Sequence, residues 1–332
     1  MKQKITNDRQ IMVDRVYYRK CEEGMTFIPD NSVDCVICDL PYGTTNNPWD
    51  EIIPFDILWE QYNRIVKPDG HIVLFSSEPF STKLKASNLD NFLFDYIWDK
   101  KVGANFKSCH TQPLKTFEVI SVFKPAGTKV KARDMFYFPQ GLIRVDKKMK
   151  NRSGKYLGNE NNNVGKTYIQ EFTNYPKAIL DFPKDINTFH PTQKPVALIE
   201  YLIKTFTLPG AVVLDNCMGS FTTAIAALNT DRHFIGFENN LEYYQMGSMR
   251  LAGAVLEKMA KPLNGDLLDE FYEKNEDYFN NKDNMNCYKI KKDNEEECED
   301  VIEISIETED FDFELAVNNW YPEIKENWVE KT

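Results

Sequence analysis

The sequence predicts an α/β chain built on a mostly parallel sheet with helices on both faces. Three observations predict it. Between residues 31 and 123, short apolar runs alternate with stretches of helical period. Between 211 and 238, a strand, a small-residue loop, a helix and a second strand follow closely. Between these halves, residues 124–188 break the rhythm with a basic, aromatic-rich segment. A chain of 332 residues suits one large domain with an insertion, or two domains.

The elements follow in order. Val16-Tyr17-Tyr18 and then Gly24-Met25 read as a short strand and a turn. Residues 31–39 hold the run Val33-Asp34-Cys35-Val36-Ile37-Cys38, a buried strand ending on Asp39. Cys35 and Cys38 have opposed strand parity and no second pair, so they read as core thiols, and no metal site is predicted. Residues 43–50 form a polar loop closing on Pro48-Trp49-Asp50, with Trp49 expected to anchor it. Apolar residues at 57, 58, 62, 65 and 66 predict a helix over 57–66, which Lys67-Pro68-Asp69-Gly70 stops. A strand at 71–75, a helix at 78–87 and strands at 92–98 and 116–123 complete this half. Helices are predicted at 196–206 and 241–259.

Charge divides the chain. The net charge is −11, which alone argues against a polyanionic partner. Residues 261–332, however, hold 22 acids and 8 lysines, and the remainder holds 32 basic and 29 acidic residues. Residues 124–184 hold 13 basic and 5 acidic residues, a net of +8, and form the expected phosphate footprint. The acidic end reads as an appendage with an alternating strand at 301–306 and large apolar groups at Trp320, Tyr321 and Trp328. Seven scattered cysteines predict reduced thiols and a cytoplasmic setting. No apolar stretch is long enough for a membrane span, and the first ten residues do not read as a secretory signal.

Two motifs carry chemistry. Asp39-Leu40-Pro41-Tyr42 places an acid, a proline and an aromatic at a strand end. The carboxylate accepts a hydrogen bond from an amino group. Proline has no N–H and a fixed φ, which leaves the Leu40 carbonyl as a second acceptor. The tyrosine ring suits stacking on a flat heterocycle. Such a set holds an aromatic amine, as in adenine N6 or cytosine N4. Read alone, the tetrapeptide is equally a strand-end turn.

The second motif, 176 positions on, is Asp215-Asn216-Cys217-Met218-Gly219-Ser220-Phe221-Thr222-Thr223. It follows the apolar run Val212-Val213-Leu214 and precedes an amphipathic helix predicted over 221–228. Glu238 ends the next strand, 23 positions after Asp215. That is the spacing at which an acid meets a ribose. The loop lacks Gly-x-Gly-x-x-Gly, so a cationic cofactor suits it better than a pyrophosphate.

These residues resemble the amino-group DNA methyltransferases. Their catalytic motif is Asp/Asn/Ser-Pro-Pro-Tyr and their cofactor motif is Asp-Pro-Phe-x-Gly-Ser-Gly-Thr-Thr. A third match, Phe189-His190-Pro191-Thr192-Gln193-Lys194-Pro195, resembles the family's His-Pro-Thr-x-Lys-Pro segment. The catalytic motif comes first, the order of the beta group. Leu40 replaces a proline, Asn216 and Cys217 replace Pro-Phe, and Phe221 replaces a glycine, so either its ring points away from the ligand or the loop has a different shape.

The resemblance implies a Rossmann-like fold and the following organisation. Residues 11–123 form the catalytic half, 124–188 the target-recognition insertion, 189–260 the cofactor half and 261–332 the appendage. S-adenosylmethionine is implied as cofactor and double-stranded DNA as partner, with a separate restriction nuclease allowed. Asp39, Leu40, Pro41 and Tyr42 are the implied catalytic set. Asp215, Asn216, Cys217, Gly219, Ser220, Thr222 and Glu238 are implied to hold the cofactor, with Thr192 and Lys194 on its carboxylate. Asn105 and Phe106 are placed near the target base. The implied reaction is methyl transfer to the exocyclic amino group of a flipped-out base, with adenine N6 favoured by the leading Asp. Cytosine N4, an RNA or protein amino group, and an inactive DNA-binding protein remain as alternatives. No Pro-Cys dipeptide occurs, which argues against a cysteine nucleophile attacking cytosine C5.

Overall fold

A computed structural model describes residues 11–260 except 46, 48, 151–165, 186, 187, 189 and 191. The expected acidic appendage and its strand therefore lie outside the described residues.

The main sheet has eight strands in the order β1-β10-β9-β2-β3-β5-β4-β8. They are β1 (Arg15–Tyr18), β2 (Val33–Asp39), β3 (Val66–Ser76), β4 (Phe92–Ala104), β5 (Lys115–Phe123), β8 (Ile179–Asp181), β9 (Val212–Asp215) and β10 (His233–Glu238). Only β5 runs against its neighbours, so the sheet is mostly parallel. A separate antiparallel ribbon pairs β6 (Ile143–Lys150) with β7 (Thr167–Thr173).

Strand alternation sends successive side chains to opposite faces. On one face Val16, Cys35, Ile37, Val73, Phe75, Val213 and Phe234 pack under α4 (Val196–Phe206), α5 (Thr222–Asn229) and α6 (Leu241–Ala260). On the other, Tyr17, Val36, Cys38, Ile72, Leu74, Leu214 and Ile235 pack with α1 (Cys21–Gly24), α2 (Phe55–Ile65) and α3 (Phe80–Ser87). Cys35 and Cys38 thus lie in different cores, both fully buried.

Three details differ from the sequence reading. The helix expected at 57–66 is α2, which spans Phe55–Ile65 and buries Leu58, Trp59, Tyr62 and Ile65, leaving Ile57 exposed. Its expected last residue, Val66, instead opens β3 and pairs with Val33 before the register shifts to Cys35–His71. Helix α3 begins after Pro79, a residue without an N–H that suits a helix start. The 124–188 segment is not wholly separate: β8 pairs with β4, and Trp98 Nε1 donates to the Phe182 carbonyl at 2.8 Å.

Parallel order puts the carboxyl ends of β10, β9 and β2 side by side. Chain connections leave β2 toward β3 on one side and return through β9 on the other. Ligands of open α/β sheets bind at such a reversal, beyond the strands' carboxyl ends.

Candidate active site

Asp39, Asp215 and Glu238 end those three adjacent strands, and all three line one cavity of about 410 Å³. Leu40, Pro41, Tyr42, Thr192, Lys194, Asn216, Cys217, Gly219, Ser220 and Thr222 line it too. The candidate catalytic and cofactor residues drawn from the three motifs therefore line one cavity, although the chain between Asp39 and Asp215 crosses most of the sheet.

At the β2 tip, Tyr42 Oη donates to Asp39 Oδ1 at 2.6 Å. Its ring stacks on Phe80, with centroids 5.3 Å apart. Lys194 Nζ donates to Asp39 Oδ2 and lies 3.2 Å from Glu118 Oε2. Lys100 donates to the other Glu118 oxygen at 3.1 Å. Burial pushes the Asp39 carboxyl above its usual range; Glu118 adds to this and the Lys194 charge opposes it. Burial also acts on Glu118, but Lys194 and Lys100 together hold its carboxyl low. Lys194, despite burial, is held protonated by Asp39 and Glu118. The negative charge is thus firmest on Glu118, and Asp39 is the carboxyl readier to take a proton.

Lys194 is expected on a cofactor carboxylate, but the structure seats its ammonium on Asp39 and Glu118. The cause is electrostatic: a 7% exposed ammonium takes the nearest carboxylates. The sequence reading missed Glu118. Its signal was a lone acid in the apolar strand Phe117-Glu118-Val119-Ile120.

The loop after β2 is organised by Asp50, which the sequence reading named only as a loop end. Its Oδ1 accepts from the backbone N–H of Tyr42 (2.7 Å) and Gly43 (2.8 Å). Its Oδ2 accepts from those of Thr44 (2.9 Å) and Thr45 (2.7 Å). Burial acts the other way, yet hydrogen bonds from Thr45 and the backbone hold the Asp50 carboxyl below its ordinary range. Neighbouring Trp49 packs on His190 (5.7 Å) and Tyr243 (6.3 Å), anchoring the loop across the cavity.

The β9–α5 loop is tied from three sides. Asp215 Oδ2 accepts from Thr223 Oγ1 at 2.6 Å and Oδ1 from the Cys217 N–H at 3.1 Å. Burial pushes the Asp215 carboxyl up to about 6. Arg250 Nη1 donates to the Ser220 carbonyl at 2.7 Å and to Thr222 Oγ1 at 2.8 Å. Glu238 accepts from the Gly219 N–H at 2.7 Å and the Asn240 N–H at 2.8 Å. Gly219 has φ +51°, and a Cβ there would lie 3.5 Å from His190 Nε2. His190 is a second missed residue. Thr192 N–H points at its Nδ1 at 3.3 Å, and burial, with help from Lys194, lowers its pKa to about 4. The Asn216 side chain is held by Tyr62 Oη, which donates to its Oδ1 at 2.5 Å, and by the thiols of Cys21 and Cys217, which also line the cavity.

Phe221 settles the question raised by its replacing a glycine. Its backbone is left-handed (φ 59°), and its ring is fully buried between Tyr244 and Gly247, away from the cavity lining. At the other edge, Asn105 Oδ1 accepts from the Lys115 N–H at 3.0 Å, and Phe106 is 67% exposed. Neither residue lines the cavity.

This arrangement can do two things. Carboxylates at the β9 and β10 tips suit a small cation-bearing ligand with hydroxyls, and the β2 tip beside them suits a planar amine. Known proteins agree. A DNA methylase profile of the N6/N4 type matches residues 33–249. The chain is similar to the DNA adenine methyltransferase YhdJ of Escherichia coli (strain K12), 31% identical over 241 residues, covering 68% of this chain and 78% of that protein. It is similar to the type II methyltransferase M1.MboII of Moraxella bovis, 25% identical over 265 residues, covering 72% of this chain and 96% of that protein. Its fold matches that of the PvuII DNA methyltransferase (cytosine-N4-specific) with a TM-score of 0.53 at 16% identity, covering 73% of this chain and 87% of the other. The chain therefore belongs to the N6/N4 family of DNA methylases, enzymes that draw their methyl group from S-adenosylmethionine.

Proposed function

We propose that the protein methylates the exocyclic N6 of adenine within a specific duplex DNA sequence. The observation that carries the reading is the meeting of Asp39, Asp215 and Glu238 in one cavity at three adjacent strand tips. The leading Asp of the catalytic motif and the similarity to an adenine methyltransferase support adenine over cytosine.

The residues fit S-adenosylmethionine. The cavity's 410 Å³ falls within the range of cofactor sites, and the acids at the β9 and β10 tips suit a cationic molecule. Glu238 keeps lone pairs for ribose hydroxyls; Asp215, the 216–222 loop and Thr192 take the methionine end. When bound, the cofactor supplies an electrophilic methyl group whose bonding electrons return to sulfur as a neutral thioether.

The chain's residues handle the amine. A base inside the duplex stack does not reach the β2 tip, so it must be extruded. Tyr42, already held on Phe80, gives it a surface to stack on. Asp39 and the Leu40 carbonyl accept its two amino hydrogens, which directs the nitrogen lone pair outward. Orientation supplies much of the acceleration. Burial raises the proton affinity of Asp39, which suits it to accept the proton that the nitrogen sheds on methylation. The +8 segment at 124–184 supplies phosphate contacts. The likeness to a type II methyltransferase fits work beside a separate restriction nuclease, a solitary role being the alternative, and a cytoplasmic setting goes with the scattered free thiols.

The test is to incubate the protein with duplex DNA and methyl-labelled cofactor, then digest to nucleosides. Label in N6-methyladenine is expected. Label found only in N4-methylcytosine overturns the adenine assignment, and equal labelling of RNA and duplex DNA overturns the DNA assignment.

A further inference from the structure

The β4–β5 hairpin extends beyond the sheet's carboxyl edge, on the side where Asp39 lies. Asp39 pairs with Phe75 of β3, and Ser76, the last residue of β3, pairs with Val119 of β5. Strand β5 begins four residues earlier, at Lys115, so the hairpin stands about 14 Å past that level. Two strand spacings, about 10 Å, separate it sideways from the catalytic tip. At its root Glu118 meets Lys194 at 3.2 Å, and Lys194 donates to Asp39.

The turn at its tip is ordered by its own bonds. The Ser108 N–H donates to the Asn105 carbonyl at 2.9 Å, and the Cys109 N–H to that of Phe106 at 3.1 Å. Asn105 Oδ1 reaches across to the Lys115 N–H. Leu114 closes on Gly103, where a Cβ would come within 2.9 Å of it. Lys115 Nζ donates to the Glu78 carbonyl at 3.3 Å, which braces the hairpin on the segment before α3.

This scaffold leaves the Phe106 ring outside, 67% exposed, with Val102 and Phe117 also exposed on the same hairpin. One exposed apolar side chain is ordinary. Three on one lysine-bearing hairpin make a surface suited to a partner. Residues 101–117 hold Lys101, Lys107 and Lys115 and no Asp or Glu. Lys101 is engaged by Asp99 and Asp181, whereas Lys107, next to the ring, is exposed. Cationic charge beside an exposed ring fits a partner that is anionic outside and stacked with flat rings inside, which is duplex DNA. Extruding a target base breaks its pair and leaves a gap in the stack. An apolar wedge that enters the stack helps to hold the duplex open.

We propose that the β4–β5 turn enters the duplex and that Phe106 fills the gap left by the extruded base. Phe106 is thus a positioning residue: it serves the reaction by keeping the base out of the stack, not by acting on the methyl group. This rests on the base-extruding methyl transfer proposed above.

The test uses Phe106→Ala and Phe106→Tyr in the full chain. Duplexes carry the site that the wild type methylates, either fully paired or with the target base mispaired. Single-turnover methyl transfer with protein and cofactor in excess is the readout; calorimetric cofactor binding and thermal unfolding are the controls, and neither should change. On paired DNA, Phe106→Ala is expected to be slower than wild type by about ten- to a hundredfold, the range of one lost base–aromatic stack. A mispaired base leaves the stack at lower cost, so on that duplex the deficit should shrink to a few-fold. Phe106→Tyr keeps a ring and should stay within a few-fold of wild type on both.

A folded Phe106→Ala variant with the wild-type rate on paired DNA overturns the proposal. So does an equal deficit on paired and mispaired duplexes, which would make the ring an ordinary DNA contact, and so does a Phe106→Tyr variant as slow as Phe106→Ala. Wild-type protein that labels no DNA sinks the functional reading and this proposal together, whereas an active wild type beside an unaffected Phe106→Ala sinks this proposal alone.

Discussion

Phe221 stands where the family carries glycine, with a left-handed backbone that costs a non-glycine residue about 1–2 kcal/mol. Its fully buried ring offsets this cost, and Gly247 makes room: a Cβ there would come within 2.3 Å of the ring. Gly247→Ala is expected to destabilise by about 1–3 kcal/mol through overpacking. Phe221→Gly is expected to cost more, about 3 kcal/mol, because the lost ring outweighs the relieved backbone. Urea unfolding measures both. A Phe221→Leu/Gly247→Ala pair that recovers nothing over Gly247→Ala would refute the steric account. At the same scale, Asp39→Ala should abolish most methyl transfer, by roughly a hundredfold or more, while calorimetric cofactor binding stays within a few-fold of wild type. Equal loss of both would make Asp39 a cofactor residue. The motif residues were legible because strand ends and small-residue loops leave marks in the chain. Glu118 was not legible as a site residue, because Lys194 lies 76 positions away in the chain; His190 was legible only as part of its motif, because the Trp49 and Tyr243 rings meet it through the fold.

Among elements, the loop from Tyr42 to Asp50 is the clearest case of one side chain ordering a stretch of backbone. Four N–H groups converge on one carboxylate. Asp50→Ala strips all four of their acceptor, and Asp50→Asn keeps an acceptor without the charge. Transfer by the alanine variant is expected to fall about ten- to a hundredfold, equivalent to about 1.5–3 kcal/mol for lost charge-assisted bonds. The asparagine variant should fall in between. Because hydrogen bonds hold the Asp50 carboxyl low, the wild-type loop should stay latched well below neutral pH, and limited proteolysis at pH 5 and 7 should give matching patterns there. Helix positions were read well from the sequence, since period and Pro or Gly stops are local. Helix faces were read less well: Ile57 gave way to Trp59, because the sheet decides which stripe is covered.

For the whole molecule, two buried histidines set a pH dependence. Burial lowers His71 to about 4, and its ring packs 4.7 Å from Phe206; His190 is also lowered to about 4. Between about pH 6.5 and 4 the unfolded chain protonates these rings while the folded chain does not, so their contribution is full above 6.5 and lost as pH falls. Each histidine contributes about 1.4 kcal/mol per pH unit across that window. Asp215, raised by burial to about 6, works in the opposite sense over much of it. The histidine effect is therefore read as a difference: His71→Leu should lose less stability than wild type between pH 6.5 and 4.5. Parallel losses in urea midpoint would show that His71 titrates normally. The sheet class was legible as a whole because alternation of strand and helix is global, but the return of β8 to the edge of the main sheet was not. Three residues carry too little pattern to be read as a strand.

The main sheet ends in β1, of four residues, and β8, of three. An edge is a template on which another chain can add itself, and its danger grows with its length. This sheet gives a neighbour almost nothing to copy. The longer invitation is the β6–β7 ribbon, whose first strand carries Arg144, Lys147, Lys148 and Lys150. Two copies meeting there would set like charges against each other. Among the described residues, backbone pairing between copies has little to start from, and a contact made there would rest on side chains.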